Sequence, residues 1–359
     1  MNRRTYLAGV GMALVAGCLG DEGDEPSSTP RPTASPTATP TTTPPTTETP
    51  TETPTETPTE TPEPTPTPEE EAKAHLAQAQ GALGDALATY AGFAGEDAVA
   101  VDVDAQTEGY DYTEVLGPIS TAQRALKDAH AVGIDDDDLE AALDEFEDAV
   151  AFVEAVATGR DALIGAYGGL AAAYDALWDG EPGALSDGLS KLEDGVGDAR
   201  GLAIEPLQGL DPDVSEVDAL DEETYLNLRE LVESEFETFE HCERWLDRIN
   251  RHFGDLHDAG EHYFGDEDWT GAWDAAHGPG RWWPEWADEH EGPRTVPRHL
   301  RDYVDGIGCF LEAAGEGAIW LFNAADEGRS DRHEYRKEFE EDAIEAFDGC
   351  SRRIDGPWF

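Results

Sequence analysis

The sequence predicts an all-α protein: antiparallel helices joined by short loops, in one elongated array or two bundles, after a disordered Thr/Pro-rich stalk. Three observations carry this. Apolar residues recur at a period near 3.6 from residue 69 onward, and no convincing strand run interrupts them. Helix starts and stops are signed by capping residues and glycines. Residues 26–68 hold 14 prolines and 18 threonines in 43 positions, and proline at that density forbids helix and sheet and favours polyproline II.

The chain opens with Arg3 and Arg4, then an apolar run of eleven residues from Leu7 to Gly17, then Cys18. Eleven residues of helix rise roughly 16 Å, against a hydrocarbon core of about 30 Å. The run therefore reads as the apolar part of a signal peptide over residues 1–17. Asn2-Arg3-Arg4-Thr5-Tyr6-Leu7 resembles a twin-arginine export signal, a route for proteins exported folded. Val15-Ala16-Gly17-Cys18 resembles a lipobox, which implies a lipid on Cys18. Together with the stalk, these residues resemble surface lipoproteins of halophilic archaea. The resemblance is specific over residues 1–68 and rests on composition beyond them. It implies residence on the extracellular face of the cell membrane, anchored by lipid.

Residues 18–25 are a short acidic tether. The stalk, 26–68, contains four TETP units from Thr47 to Pro62 and would reach roughly 130 Å if fully extended at about 3.1 Å per residue. Its threonines are either bare or carriers of O-linked sugar.

The first helical subdomain is expected over 69–205. Thr67-Pro68-Glu69-Glu70 fits a capping box with proline at the first helical position. Leu76, Leu83, Leu87 and Tyr90 follow on one face, and Gly92 and Gly95 stop the helix. Residues 94–112 read as a loop in which Val99, Val101 and Val103 alternate as a short extended piece. A second helix is expected from Pro118 to Val132, stopped by Gly133. Asp135 then reads as an N-cap, with Ile134 and Leu139 as a hydrophobic staple. The stripe from Leu139 to Trp178 belongs to one long helix, or to two kinked near Gly159, ending at Gly180 and Pro182. Leu185, Leu189, Leu192, Val196 and Ala199 mark one more.

Residues 206–220, with Pro206, Gly209 and Pro212, read as a linker, and 221–359 as a second subdomain. Asp221 caps a long helix with a stripe from Tyr225 to Leu256. Residues 264–295 read as an irregular Trp-rich loop. Pro297 opens a helix with Leu300, Val304, Ile307, Leu311 and Leu321. A turn at Glu327-Gly328 leads to the last helix, with Tyr335, Phe339, Ala343 and Phe347.

Charge narrows the function classes. The chain carries 80 acidic and 23 basic residues, a net −57, and residues 69–359 hold 71 and 20 of them, a net −51. Self-repulsion of this size strains a compact fold in dilute buffer. At 1 M salt the Debye length is about 3 Å and most of it is screened. The acids therefore read as a surface built for molar salt. Nucleic acid is excluded as a partner, since phosphates would meet a negative surface.

Motif evidence is thin. HExxH, GxSxG, a P-loop and CxxC are all missing. His241, His252, His257 and His262 lie on one expected helix, where the i,i+4 pairs His257/Glu261 and Asp258/His262 could chelate an ion. The plainer account is a solvated acidic face, and neither a metal nor another cofactor is assigned. Trp269, Trp273, Trp282, Trp283 and Trp286 are the candidate ligand-binding residues, with Asp268, Asp274, His277, Arg281 and Glu285 beside them. Exposed indoles stack on flat ligands and favour interfaces. The other account is a segment that plugs the bundle with its aromatics.

Three cysteines follow Cys18. In an antiparallel hairpin turning at Gly328, Cys309 and Cys350 differ by three residues in distance from the turn, about 4.5 Å of rise. Disulfides need Cα atoms roughly 4.4–6.8 Å apart, so these two are the expected pair and Cys242 a buried thiol. The alternative is three reduced cysteines.

The function expected from all this is a lipid-anchored extracellular helical protein. It would act without catalysis, as a binding or envelope component in high salt. Its partners would be the membrane, through Cys18, and an envelope protein or small ligand. Two other classes stay open. One is a ligand-binding lipoprotein of a transporter or sensor that uses the Trp-rich segment. The other is a metal-dependent enzyme on the 241–262 helix.

Overall fold

The computed structural model describes residues 66–210, 214 and 217–350. The signal peptide 1–17, Arg3, Arg4, Cys18, the tether 18–25 and the stalk up to residue 65 lie outside the described residues. Every regular element described is helical: α1 Pro68–Gly92, α2 Tyr112–Ala131, α3 Asp137–Asp179, α4 Pro182–Ala199, α5 Glu205–Gln208, α6 Glu222–Gly260, α7 Trp269–Glu289, α8 Arg301–Arg329 and α9 His333–Phe347. The all-α fold is as the spacing of apolar residues predicts. Among the described residues no helix is long and apolar enough to cross a membrane.

Short polar side chains start most of these helices. Thr67 completes the capping box: Glu70 N donates to its hydroxyl at 3.3 Å, and Thr67 N donates to the Glu70 carboxylate at 2.9 Å. Asp221 accepts from Thr224 N at 2.7 Å. Asp136, one residue later than expected, caps α3 by accepting from Asp138 N and Leu139 N. Gly133 and Gly180 follow α2 and α3 in the left-handed region, at φ 73° and 70°, which costs glycine no Cβ clash.

Four expectations about elements are corrected. Helix α2 begins six residues before Pro118, because Asp111 accepts from Thr113 N at 3.0 Å and caps it there. Val101 lies within a 3-10 turn at Ala100–Asp102 that Val99 and Val103 flank, closed by Val99 N donating to Asp102 at 2.9 Å, so the three form no continuous extended piece. The turn between α8 and α9 falls at residues 330–332, while Gly328 stays helical and lets the Trp269 ring approach. Residues 269–289, within the expected Trp-rich loop, are helix α7 despite Pro279 and Pro284. Asp268 caps α7, accepting from Thr270 N and Gly271 N. Ala272, Ala276, Pro279 and Trp283 recur at four, three and four residues and bury one face. Burying that face against α8 outweighs the two lost backbone donors.

Helix α3 is a single 43-residue helix with no exposed residue from Ala149 to Arg160 and an exposed stripe of Asp161, Gly165, Gly168, Ala172 and Asp175 beyond it, so its middle is enclosed and its C-terminal half is amphipathic. Gly159 does not interrupt it. It admits the wide turn at Arg200–Ile204, where a Cβ at Gly159 would come within 2.2 Å of the Ala203 Cβ. Helices α3 and α4 pack backbone to backbone in the same way. A Cβ at Gly188 would meet Ala173 N at 2.5 Å, and one at Gly195 would meet Ala166 N at 2.5 Å.

The described residues fall in one compact unit with one core, so the two subdomains expected over 69–205 and 221–359 are not separate bodies. Helix α6 is the reason. Its stripe from Tyr225 to Leu256 is buried as expected, and it packs on α3 and α4 and also on α7 and α8. Because α6 packs on helices of both halves, 206–220 joins two parts of one core. Cys309 and Cys350 are joined with Cα atoms 5.9 Å apart, tying α8 to the end of α9. Cys242 is free and buried, and burial pushes its thiol up to about 12.

Candidate functional site

Of the groups of side chains in the described residues with chemistry to offer, three lie in a buried cluster, along α6 and between α7 and α8. The first is buried. Arg160 on α3 and Glu235 on α6 are fully buried and paired. Tyr90 on α1 accepts from Arg160 Nε at 3.1 Å, and Ala105 N donates to Glu235 Oε1 at 2.8 Å. Burial pushes the Glu235 carboxyl up, but Arg160, His299 and the Ala105 N–H together pull it below the usual range. The Tyr90 hydroxyl is raised, chiefly by burial. His299 sits over the pair, with Nε2 at 2.9 Å from Glu235 and Nδ1 at 3.4 Å from Asp104. Both ring nitrogens face carboxylates, so His299 has no atom left to move a substrate proton. The cluster joins α1, α3, α6 and the segment before α8.

The second group is the row of histidines on α6. They do not converge. His252 pairs with Asp255 at 2.9 Å, His257 lies 3.8 Å from Asp258, and His262, in the wide turn after α6, lies 3.8 Å from Asp268. The i,i+4 chelate of Asp258 with His262 is not formed, because His262 turns toward the α7 cap. The ligand atoms of His257, Asp258 and Glu261 lie within 4.8 Å of one another, with the histidine half-buried and the two acids exposed. So do those of His130, Asp144 and Glu147 between α2 and α3.

The third is a depression of about 320 Å³ between α7 and α8. Ala276, Ile319 and Phe322 make its floor, and His277, Arg281 and Asn323 its polar edge. Gly280 brings α7 close enough to form it, since a Cβ there would lie 3.3 Å from the Ala318 backbone on α8. Four other depressions, of 360 to 550 Å³, are each lined by two or more carboxylates; this one has none. Among the described residues Arg281 makes no ion pair; its guanidinium lies over the exposed Trp282 ring at 4.6 Å. On a chain of net charge −57, that leaves a cation beside an apolar floor.

The five tryptophans do not form one platform. Trp283 is fully buried against Phe310 on α8. Trp269 packs on Tyr263 with Arg336 over its face at 4.7 Å. Trp273 packs on Phe322, with Arg329 at 4.5 Å. Trp286 lies beside His252, with Arg248 at 5.9 Å. The aromatics therefore mostly plug the bundle, and guanidiniums of this chain cover the ring faces left over. Of the polar residues beside them, His277 and Arg281 border the depression and Asp268 caps α7, while Asp274 and Glu285 are exposed. Asn323, Ile319 and Phe322 went unnoticed in the sequence, because only the packing of α8 on α7 brings them to Arg281. Comparison with protein-family models, curated proteins and solved structures finds no match to this chain.

Proposed function

We propose that this chain is a lipid-anchored extracellular helical protein and acts as a non-enzymatic binding module in high salt. It would present the α7–α8 depression to a small ligand with an apolar body and one anionic group. The observation that carries this reading is the carboxylate-free lining with Arg281 at its edge. A guanidinium recognises carboxylate by charge-assisted, bidentate hydrogen bonds, and Ala276, Ile319 and Phe322 supply the apolar contact. The anchor rests on Arg3, Arg4 and Cys18.

Benzoate and phenylacetate, compared with uncharged benzamide, test the site by calorimetry in molar KCl. The acids should bind and benzamide should bind at least several-fold more weakly. Arg281→Gln should weaken the acids by about tenfold, the size of one charge-assisted hydrogen bond. Equal binding of acid and amide, or acids indifferent to Arg281→Gln, would remove the anionic reading.

The anchor is tested separately. Cys18→Ser should release the protein into the medium or stall its processing. Wholly membrane-bound protein of mature size from that variant contradicts the lipid. Arg3→Lys with Arg4→Lys should hold precursor in the cytoplasm, whereas normal export would point to the general secretory route.

A further inference from the structure

His241 on α6 and His290, just past the end of α7, face each other with their Nε2 atoms 3.2 Å apart. His241 is nearly buried. Trp245 walls the pair, its ring centroid 5.1 Å from that of His290 and 6.3 Å from that of His241. Gly308 on α8 leaves the room: a Cβ there would sit 2.9 Å from His290 Nδ1. A depression of about 550 Å³ opens beside His290, with Asp305 and Glu312 of α8 in its lining.

We infer that His241 and His290 form a two-imidazole site for a divalent transition-metal ion such as Zn²⁺ or Cu²⁺. The spacing carries this. Two nitrogens bound to one tetrahedral ion at about 2.0–2.1 Å are about 3.3–3.4 Å apart. The Nε2 atoms already stand at that separation, so an ion moving between the rings needs little rearrangement. Imidazole suits Zn²⁺ and Cu²⁺ better than it suits the oxygen-seeking Mg²⁺ or Ca²⁺. Burial of His241 and the wall of Trp245 favour uncharged rings over imidazolium. Neutral imidazole is the form that ligates. The remaining coordination positions open to water in the depression, where Asp305 and Glu312 add negative charge. On α6, Arg248 opposes it, its guanidinium stacked on Trp245 at 4.6 Å.

This site is independent of the α7–α8 depression, and its test reads nitrogen ligation directly, because exposed carboxylates of this chain will also hold cations loosely. Less than one equivalent of Cu²⁺ is added to the full chain in molar salt near neutral pH. Frozen-solution electron paramagnetic resonance should show superhyperfine coupling to two imidazole nitrogens. Bound Zn²⁺ should move the side-chain ¹⁵N shifts of two histidines in the wild-type protein, with no variant needed. His290→Gln should reduce the coupling to one nitrogen or none and weaken the first equivalent of Zn²⁺ about tenfold or more. His257→Gln and His130→Gln should leave both unchanged. Far-ultraviolet circular dichroism confirms that each variant is folded. Oxygen-only ligation in the wild type overturns the inference and leaves the 3.2 Å contact as a hydrogen bond between two rings. Two-nitrogen coupling that survives in folded His290→Gln overturns it as well.

Discussion

Glu235→Gln is expected to destabilise the helical unit by about 3–5 kcal/mol, the usual cost of breaking a buried ion pair from one side. Glutamine can still accept from Ala105 N, as Glu235 does at 2.8 Å. It cannot neutralise Arg160, which is fully buried, with one guanidinium nitrogen already lacking a hydrogen-bond partner. Arg160 would then hold an uncompensated charge among Tyr90 and the core of α3. Arg160→Met with Glu235→Leu removes both charges at once and should recover most of the loss. Guanidinium chloride unfolding at constant high ionic strength reads all three proteins. A Glu235→Gln midpoint within error of the wild type would sink the idea that this pair locks α3 to α6. The pH profile adds a second reading. Since the folded Glu235 pKa is depressed from a reference of 4.5, its stabilisation is fully present above that value. It is lost as pH falls below 4.5 through the folded value, so the wild type should lose stability in acid more steeply than the double variant.

Removing salt is expected to unfold the helical unit. With net charge −51 on residues 69–359, repulsion is short-ranged at 1 M salt and extends about 10 Å at 0.1 M. The seam between α4 and α6 should open first. Burial raises the Glu243 carboxyl there, and Glu193 on α4 and Glu240 and Asp247 on α6 raise it further. Arg200 is the cation at this seam, paired with Glu240 and lying over the Phe236 ring at 5.4 Å. Circular dichroism at 222 nm, taken from molar KCl to about 0.1 M, should lose helical signal. Arg200→Gln should shift that loss to higher salt. A flat signal across the range would falsify a salt requirement of the acidic surface.

How far the sequence could be read depended on range. The capping box at Thr67 and the N-cap at Asp221 are local: the side chain and the amides it satisfies lie within three residues. The stripe of α6 was equally plain, because each buried residue follows the last by three or four. The register of the Cys309–Cys350 pair follows from counting residues on either side of one turn. Helix α7 was missed because Pro279, Pro284 and the glycines there spell irregular backbone locally. The periodic set Ala272, Ala276, Pro279 and Trp283 is short and includes a proline, so it shows as a buried face only once α8 packs on it.

The sequence by itself determined the helical class, most helix boundaries to within a few residues, the acidic surface, and the residues that suggest export and anchoring. All of these follow from composition or from neighbours within one or two turns. The tertiary structure alone decided that one core runs through both halves of the helical segment. It also decided that Arg160 meets Glu235 across 75 residues, that His241 meets His290, and that Arg281 stands over an apolar floor from α8. Those contacts join residues far apart in the chain. Their formation depends on how helices cross, which glycines at the crossing points permit, and no local spacing records it.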